Sequence, residues 1–133
     1  MRFDNNWEYP KFHTNNITKW HWVATYRENL KLGKNTDIGA FCFLQCEFGL
    51  TIEDEVQIGG GVFIYTKDTI GNNNGPVTLL KNCKIGANSV VMPNVLIGRN
   101  AIIGACSFVK AGTVVPNNEI WAGNPARKIK RVR

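Results

Sequence analysis

An apolar residue recurs every six positions along the second half of the chain: Leu79, Ile85, Val91, Ile97, Ile103, Val109, Val115 and Trp121. A helix repeats near 3.6 residues and a simple strand every two, so neither sustains a period of six. Six is the period of a parallel β-helix, where each hexapeptide makes one face of a coil and turns its apolar residue inward. Glycine follows that residue in Ile85-Gly86, Ile97-Gly98 and Ile103-Gly104, where the chain turns a corner and a Cβ would obstruct it. The fourth residue after each inward one is small or β-branched: Cys83, Ser89, Val95, Ala101, Ser107 and Thr113. These suit a second, narrower inward position. The expected fold is all-β, a parallel β-helix of about five coils at about eighteen residues per coil.

The interruptions are as informative as the period. It begins at Leu32-Gly33, continues through Ile38-Gly39 and Leu44, and slips by two residues around Phe48-Gly49-Leu50. It resumes at Ile52, Ile58-Gly59 and Ile64. Fifteen residues then separate Ile64 from Leu79, where twelve would make two clean hexapeptides. The segment from Thr66 to Pro76 is polar and glycine-rich, and reads as an extruded loop near 66–78. Stability seldom needs such a loop, so it is the first place to look for a site.

Residues 1–30 stand outside the repeat and hold Trp7, Trp20, Trp22 and both histidines, His13 and His21. The alternation Trp20-His21-Trp22-Val23 suits a short strand with one buried face. An aromatic arm of this kind is expected to cap the open end of the coil. The chain reads as one domain over 1–133: an arm (1–30), a β-helix (31–120) and a basic tail (121–133). The open ends of so small a coil bury little area, so a self-association surface is expected.

Composition narrows the function. No apolar run approaches a bilayer-spanning length, and Asp4, Asn5, Asn6 and Glu8 are foreign to a signal peptide, so a cytoplasmic protein is expected. Cys42, Cys46, Cys83 and Cys106 lack the loop clustering of a disulfide framework and are expected as reduced thiols. Cys42-x-x-x-Cys46 has no second pair and no nearby histidine, so no metal site is expected. The net charge of +6 is concentrated at Arg127, Lys128, Lys130, Arg131 and Arg133. Such a tail is a solvated terminus, or serves nucleic acid, acidic lipid or an anionic cofactor. The aromatics lie at the other end of the chain, which speaks against single-strand nucleic-acid binding.

The run Ile85-Gly86-Ala87-Asn88-Ser89-Val90-Val91-Met92-Pro93-Asn94-Val95-Leu96-Ile97-Gly98 resembles the hexapeptide-repeat acyltransferases. So do Ile103-Gly104-Ala105-Cys106-Ser107-Phe108-Val109 and Ala122-Gly123-Asn124-Pro125-Ala126-Arg127. Among the branches of that family, the small sugar acetyltransferases of surface-polysaccharide pathways look most similar. The resemblance implies a left-handed β-helix, a homotrimer with sites between subunits, and acetyl-CoA as co-substrate. Carried over by position, it sets Ala87 and Ala105 along the pantetheine groove and Gly123 and Asn124 at the adenine end. Arg127, Lys128 and, more weakly, Lys110 would face phosphates. Tyr65, Lys67, Asn72, Asn73 and Asn88 are candidates for the sugar acceptor, and Asn72, Asn73 or Asn88 for the oxyanion.

One departure stands out. Many family members place a basic histidine just before or on the loop, and a Gly-Ser-His-like string is expected where this chain reads Gly59-Gly60-Gly61. Three accounts follow. The acceptor is an amine, whose neutral fraction attacks a thioester without an early base. Alternatively His21 or His13 swings into a neighbour's site, with Asp68 orienting the ring or acting as base. Or the scaffold persists without the reaction, as a non-catalytic trimeric binding module. Carbonic anhydrases built on this coil need three histidines around zinc, and the chain has two in all.

Overall fold

The computed structural model describes residues 6–133, which form a parallel β-helix of five coils on three faces. Coil one comprises Val23–Thr25 (β1), Leu30–Leu32 (β2) and Asp37–Ile38 (β3); coil two Phe43–Gln45 (β4), Leu50–Ile52 (β5) and Gln57–Ile58 (β6). Coil three starts with Phe63–Tyr65 (β7), throws out a hairpin of Lys67–Asp68 (β8) and Asn73–Asn74 (β9), and returns as Val77–Leu79 (β10) and Lys84–Ile85 (β11). Coil four is Val90–Val91 (β12), Leu96–Ile97 (β13) and Ile102–Ile103 (β14). Coil five is Phe108–Val109 (β15), Val114–Val115 (β16) and Glu119–Gly123 (β17), followed by Ala126–Arg131 (β18). Face one is β1-β4-β7-β12-β15, face two β2-β5-β10-β13-β16, and face three β3-β6-β11-β14-β17 with β18 on its edge.

Stacking sets equivalent residues of successive coils in register. Leu44, Ile64, Val91 and Val109 make one inward column, Ile52, Leu79, Ile97 and Val115 a second, and Ile58, Ile85 and Ile103 a third, all buried. The narrower inward position holds Cys42, Val62, Cys83, Ser89, Val95, Ala101 and Ser107, also buried; Thr113, in the last coil, is half-exposed. Burial pushes the Cys46 and Cys83 thiols up to about 12, so both are packing groups.

The glycine after each inward residue has a more specific cause than corner turning. The left-handed residue of each corner falls two positions later, at Asn88 (φ 61°) and Cys106 (φ 59°). Gly86 is glycine because a Cβ there would stand 2.4 Å from the Ala105 amide nitrogen of the next coil.

The coil begins and ends differently from the expectation. Val23–Thr25 already pairs with β4, because a 3-10 turn at Arg27–Asn29 absorbs the two extra residues between Ala24 and Leu32 and hides the period. The strand does not extend back to Trp20, since His21 adopts φ 67° and breaks the alternation. Trp22 is buried and meets Phe12 edge to face, ring centroids 5.4 Å apart, closing the core at this end. Trp121 stays in the coil, and the basic tail folds back as β18, antiparallel to β17. The last strand of face three would otherwise expose an unpaired edge, which β18 covers. No helix among the described residues is long and apolar enough to cross a membrane.

Gly86→Ala is expected to destabilise the protein by about 3 kcal/mol, since backbone must move to admit the methyl group. Urea unfolding checks this; an unchanged midpoint would remove the close-approach argument.

Candidate active site

The edge between faces one and two departs from the six-residue step in three consecutive coils. Ala24 to Leu32 takes eight residues, Leu44 to Ile52 eight, and Ile64 to Leu79 fifteen; the later coils take six. The loop thus fills a single corner, and its excess is nine residues rather than three. Val77 and Thr78 belong to the coil, so the extruded part ends at Pro76.

These irregular corners support one another. Asn29 Nδ2 donates to Glu47 O at 2.9 Å, and Val77 N donates to Gly49 O at 3.0 Å. Thr66 is fully buried at the base of the loop. Its hydroxyl accepts from Phe48 N at 3.0 Å and lies 2.9 Å from Gln45 O and 2.7 Å from Gln45 Oε1, donating to one of them. Gly75 N donates to Thr66 O at 2.9 Å and closes the loop. The slip at Phe48-Gly49 is therefore the loop's foundation.

On the hairpin, Lys67 pairs across from Asn74 and Asp68 from Asn73. Asp68 Oδ1 accepts from Ile70 N at 3.1 Å, an Asx-type turn that ties the carboxylate to its own loop. Ile70 at the tip is 97% exposed, and Asn72 adopts φ 55°. Lys67 lies 3.8 Å from Glu47, and Tyr65 packs against Phe43 and Phe63 at the start of the loop.

The edge between faces three and one carries a different set. His21, Phe41, Gly61, Asn88 and Cys106 occupy the left-handed position of successive coils. Beside them run Ala40, Gly60, Ala87 and Ala105, joined by Gly61 N to Ala40 O (2.9 Å), Asn88 N to Gly60 O (3.0 Å) and Cys106 N to Ala87 O (2.9 Å). From Gly60 upward this column carries nothing larger than a methyl group, so backbone is open along the edge. Gly123 continues the column, its N–H donating to Ser107 Oγ at 3.2 Å, with Asn124 beside it in the turn to β18. A Cβ on Gly61 (φ 70°) would stand 2.4 Å from Asn88 Oδ1. The space a histidine side chain would start from at this position is held by the Asn88 amide.

The third group lies at the C-terminal end of the coil, where Lys110, Arg127 and Lys128 line a cleft of about 380 Å³ with Trp121 and Val114. Lys128 is engaged there, 3.2 Å from Glu119 Oε2, while Glu119 Oε1 accepts from Trp121 Nε1 at 3.0 Å. The indole N–H first, and then Lys128, hold the Glu119 carboxyl below the usual carboxylate range.

The structure therefore brings Ala87, Asn88, Ala105, Gly123 and Asn124 together on one edge. Lys110, Arg127 and Lys128 meet at the adjoining end of the coil, and Tyr65, Lys67, Asp68, Asn72 and Asn73 on the loop. It does not bring His21 and Asp68 together within a protomer: they lie on different edges and two coils apart. The His21 ring is exposed and stacks on Phe41, centroids 6.4 Å apart. Among the described residues, no three histidine, cysteine, aspartate or glutamate side chains gather as a metal site would require. The two-residue slip marked the Phe48-Gly49 corner in the sequence, whereas Thr66, the buried residue that supports it, carries no such signal.

Comparison with known proteins agrees with this geometry. A family model described as hexapeptide repeat of succinyl-transferase matches residues 29–66, and one described as bacterial transferase hexapeptide (six repeats) matches 76–111. Together they span over half the chain, and the gap between them is the hairpin. Galactoside O-acetyltransferase of Escherichia coli K12 is 32% identical over 125 residues, 81% of this chain and 57% of that protein. Carnitine operon protein CaiE of the same strain is 32% identical over 114 residues, 76% and 58% respectively. The chain thus spans less than two thirds of the length of these curated relatives. Among solved structures, a maltose O-acetyltransferase from Clostridium difficile 630 superposes with TM-score 0.77 at 29% identity, covering 85% of this chain and 64% of that one. An N-acyltransferase from Bacillus cereus, solved with dTDP-4-amino-4,6-dideoxyglucose and coenzyme A, gives TM-score 0.71 at 26% identity, covering 89% and 82%.

Two outcomes are expected. Thr66→Val leaves the Phe48 N–H without its partner, costs about 2 kcal/mol, and speeds proteolytic cleavage within the hairpin; an unchanged cleavage rate would detach the loop from this foundation. Glu119 has a depressed pKa in the folded state, so its contribution is present above the unfolded carboxylate value and is lost as pH falls through the folded one. Wild type is therefore expected to lose stability more steeply than Glu119→Gln on acidification below about pH 5, read from thermal midpoints; parallel curves would refute it.

Proposed function

The chain belongs to the hexapeptide-repeat transferases, whose fold is a left-handed β-helix, and on that footing we propose that it transfers an acetyl group from acetyl-CoA to a sugar, at an amine in preference to a hydroxyl. The observation that carries the reading is the edge between faces three and one. Its small side chains leave backbone open from Gly60 to Gly123, a groove suited to a narrow pantetheine arm. The groove leads to the end of the coil where Lys110 and Arg127 supply charge for phosphates. Lys128 contributes there with Glu119 as its standing partner. A donor of this kind fits a cytoplasmic enzyme.

Binding along the groove would hold the thioester carbonyl against the acceptor, so orientation supplies much of the rate. The acceptor nitrogen forms the new C–N bond through its lone pair, the C–S bond breaks, and the departing thiolate of CoA takes up the proton that nitrogen loses. The Asn88 amide and the backbone N–H groups of the edge are the donors available to the oxyanion. A hydroxyl acceptor would need a base acting early. Asp68 is held by its own loop and His21 stands two coils below Gly61, so neither is poised for that within a protomer, and an amine removes the requirement. The Bacillus cereus N-acyltransferase, solved with an amino sugar, supports the same choice.

A homotrimer suits this site. The outward row of face one, Val23, Phe43, Phe63, Val90 and Phe108, is apolar from end to end, with Phe43 and Phe63 rings 5.9 Å apart. Face one lies between the groove edge and the loop edge. A neighbour seated on it would bring its loop residues Tyr65, Lys67, Asn72 and Asn73 to this groove.

Calorimetric titration of the purified protein with acetyl-CoA is expected to give one site per subunit, weakened about tenfold by Arg127→Ala. In the same preparation, amino-sugar nucleotides are expected to be acetylated and their hydroxyl counterparts not. Saturable CoA binding with hydroxyl acceptors preferred would overturn the amine assignment; no binding at millimolar CoA would leave a trimeric scaffold.

A further inference from the structure

Charge is distributed very unevenly along the coil. Residues 69–133 hold nine of the sixteen lysines and arginines but one of the ten acidic residues, Glu119, a net of +8; residues 1–68 hold seven and nine, a net of −2. Such an asymmetry between two halves of a chain points to a polyanionic partner. A cofactor at the groove end accounts for Lys110 and Arg127, and Glu119 neutralises Lys128. Among the described residues, no carboxylate lies within ion-pair distance of the other six: Lys81, Lys84, Arg99, Lys130, Arg131 and Arg133.

Stacking gathers four of these at one corner. β18 starts beside the groove with Arg127 and runs back across the end of face three, with Lys130 opposite Ile120 and Arg131 opposite Glu119. Val132 N then donates to Asn118 O at 2.7 Å, and Asn118 N to Arg99 O at 2.8 Å. Lys130, Arg131 and Arg133 therefore finish on the edge between faces two and three, one coil beyond Arg99. That edge lies opposite face one and away from the groove, so neither the proposed trimer nor the cofactor covers it. Two coils below Arg99 the same edge carries Glu53, Asp54 and Glu55, which offset Lys81 and confine the positive field to the C-terminal corner.

A solvated terminus does not account for this order, since β18 is hydrogen-bonded to β17 along its length. Guarding a free strand edge against pairing takes one or two charges, and it does not explain Ile129. The coil has ended, so β18 has no core to face, and every side chain from Arg127 to Arg131 is exposed. Ile129 is 61% exposed among them. Lys130 faces Ile120 and Lys128 faces Trp121, which leaves Ile129 as a bulged residue outside the ladder.

An isoleucine gains nothing beside a phosphate backbone in water. At a bilayer it enters between head groups while the cations on either side meet lipid phosphates. Duplex nucleic acid would need an element free to enter a groove, and β18 is fixed to the end of a six-stranded sheet. Single strands would need stacking aromatics, and the corner from Arg99 to Arg133 has none. We propose that this corner docks on an anionic phospholipid bilayer, with Arg99, Lys130, Arg131 and Arg133 on lipid phosphates and Ile129 in the head-group layer. The groove stays open to solvent. The acyltransfer reading assigns none of these residues, so the two stand independently.

Co-sedimentation of the full chain with phosphatidylglycerol vesicles tests this, against phosphatidylcholine vesicles and duplex DNA. Binding is expected to favour the phosphatidylglycerol vesicles over both and to weaken as salt is raised. Each cation near a charged surface is worth about fivefold in partitioning, so Lys130→Gln, Arg131→Gln and Arg133→Gln combined are expected to weaken it about hundredfold. Arg99→Gln is expected to weaken it about fivefold and Ile129→Ser about fivefold, all with unchanged CoA titration. Arg99→Gln lies outside β18 and keeps the test decisive if the tail variant does not fold. No vesicle binding, equal binding to phosphatidylcholine, tighter binding to duplex DNA at equal phosphate, or indifference to Arg99→Gln or Ile129→Ser would each overturn the proposal. Failure of the acyltransfer reading registers separately, as absent CoA binding with vesicle binding intact.

Discussion

Everything in this protein depends on the parallel hydrogen bonding of each coil to the next. Because equivalent residues stack in register, a side chain is never alone: it belongs to a column, and the column decides what size is tolerated. Gly86 is glycine because of the Ala105 backbone, and Gly61 because of the Asn88 amide. The same stacking turns a local feature of one corner into a feature of an entire edge. A groove, an irregular corner or an apolar stripe then runs along the coil axis.

The three edges have been put to different uses. The edge between faces two and three is regular, with Asn82, Asn100 and Asn118 forming a side-chain ladder at 2.7 and 3.2 Å, a hydrogen-bonded seam. The edge between faces one and two absorbs all the irregularity, and each insertion rests on the one below it, from the 3-10 turn through Phe48-Gly49 to the hairpin. The edge between faces three and one is kept small and open. Face one joins the last two, so a subunit packed there would supply what a single chain lacks, a loop over the groove. Under the proposed trimer, this arrangement would complete a site whose candidate residues one protomer holds in separate groups.

The fold was largely legible because a six-residue period has one structural solution, and burial of the Leu79 to Val115 series follows it residue by residue. A second periodic signal was present and passed over. Asparagine or glycine recurs three positions after many inward residues, at Asn82, Asn88, Asn94, Asn100, Gly112 and Asn118, and marks the left-handed corner. The signal fades toward the start of the coil, where His21, Phe41 and Glu55 hold the left-handed corners instead. The folding back of the basic tail is not legible for another reason: pairing of β18 with β17 is antiparallel and outside the repeat, so no periodicity announces it.

The sequence by itself determined the coil, its three-faced inward pattern, the position of the extruded loop and the absence of a histidine at Gly59-Gly60-Gly61. These are properties of spacing and identity, and spacing is written in one dimension. Only the tertiary structure decided which residues share an edge and that the loop fills one corner rather than two. Those depend on how many residues each corner absorbs before the chain rejoins its register, which hydrogen bonds between distant residues such as Thr66 and Phe48 settle.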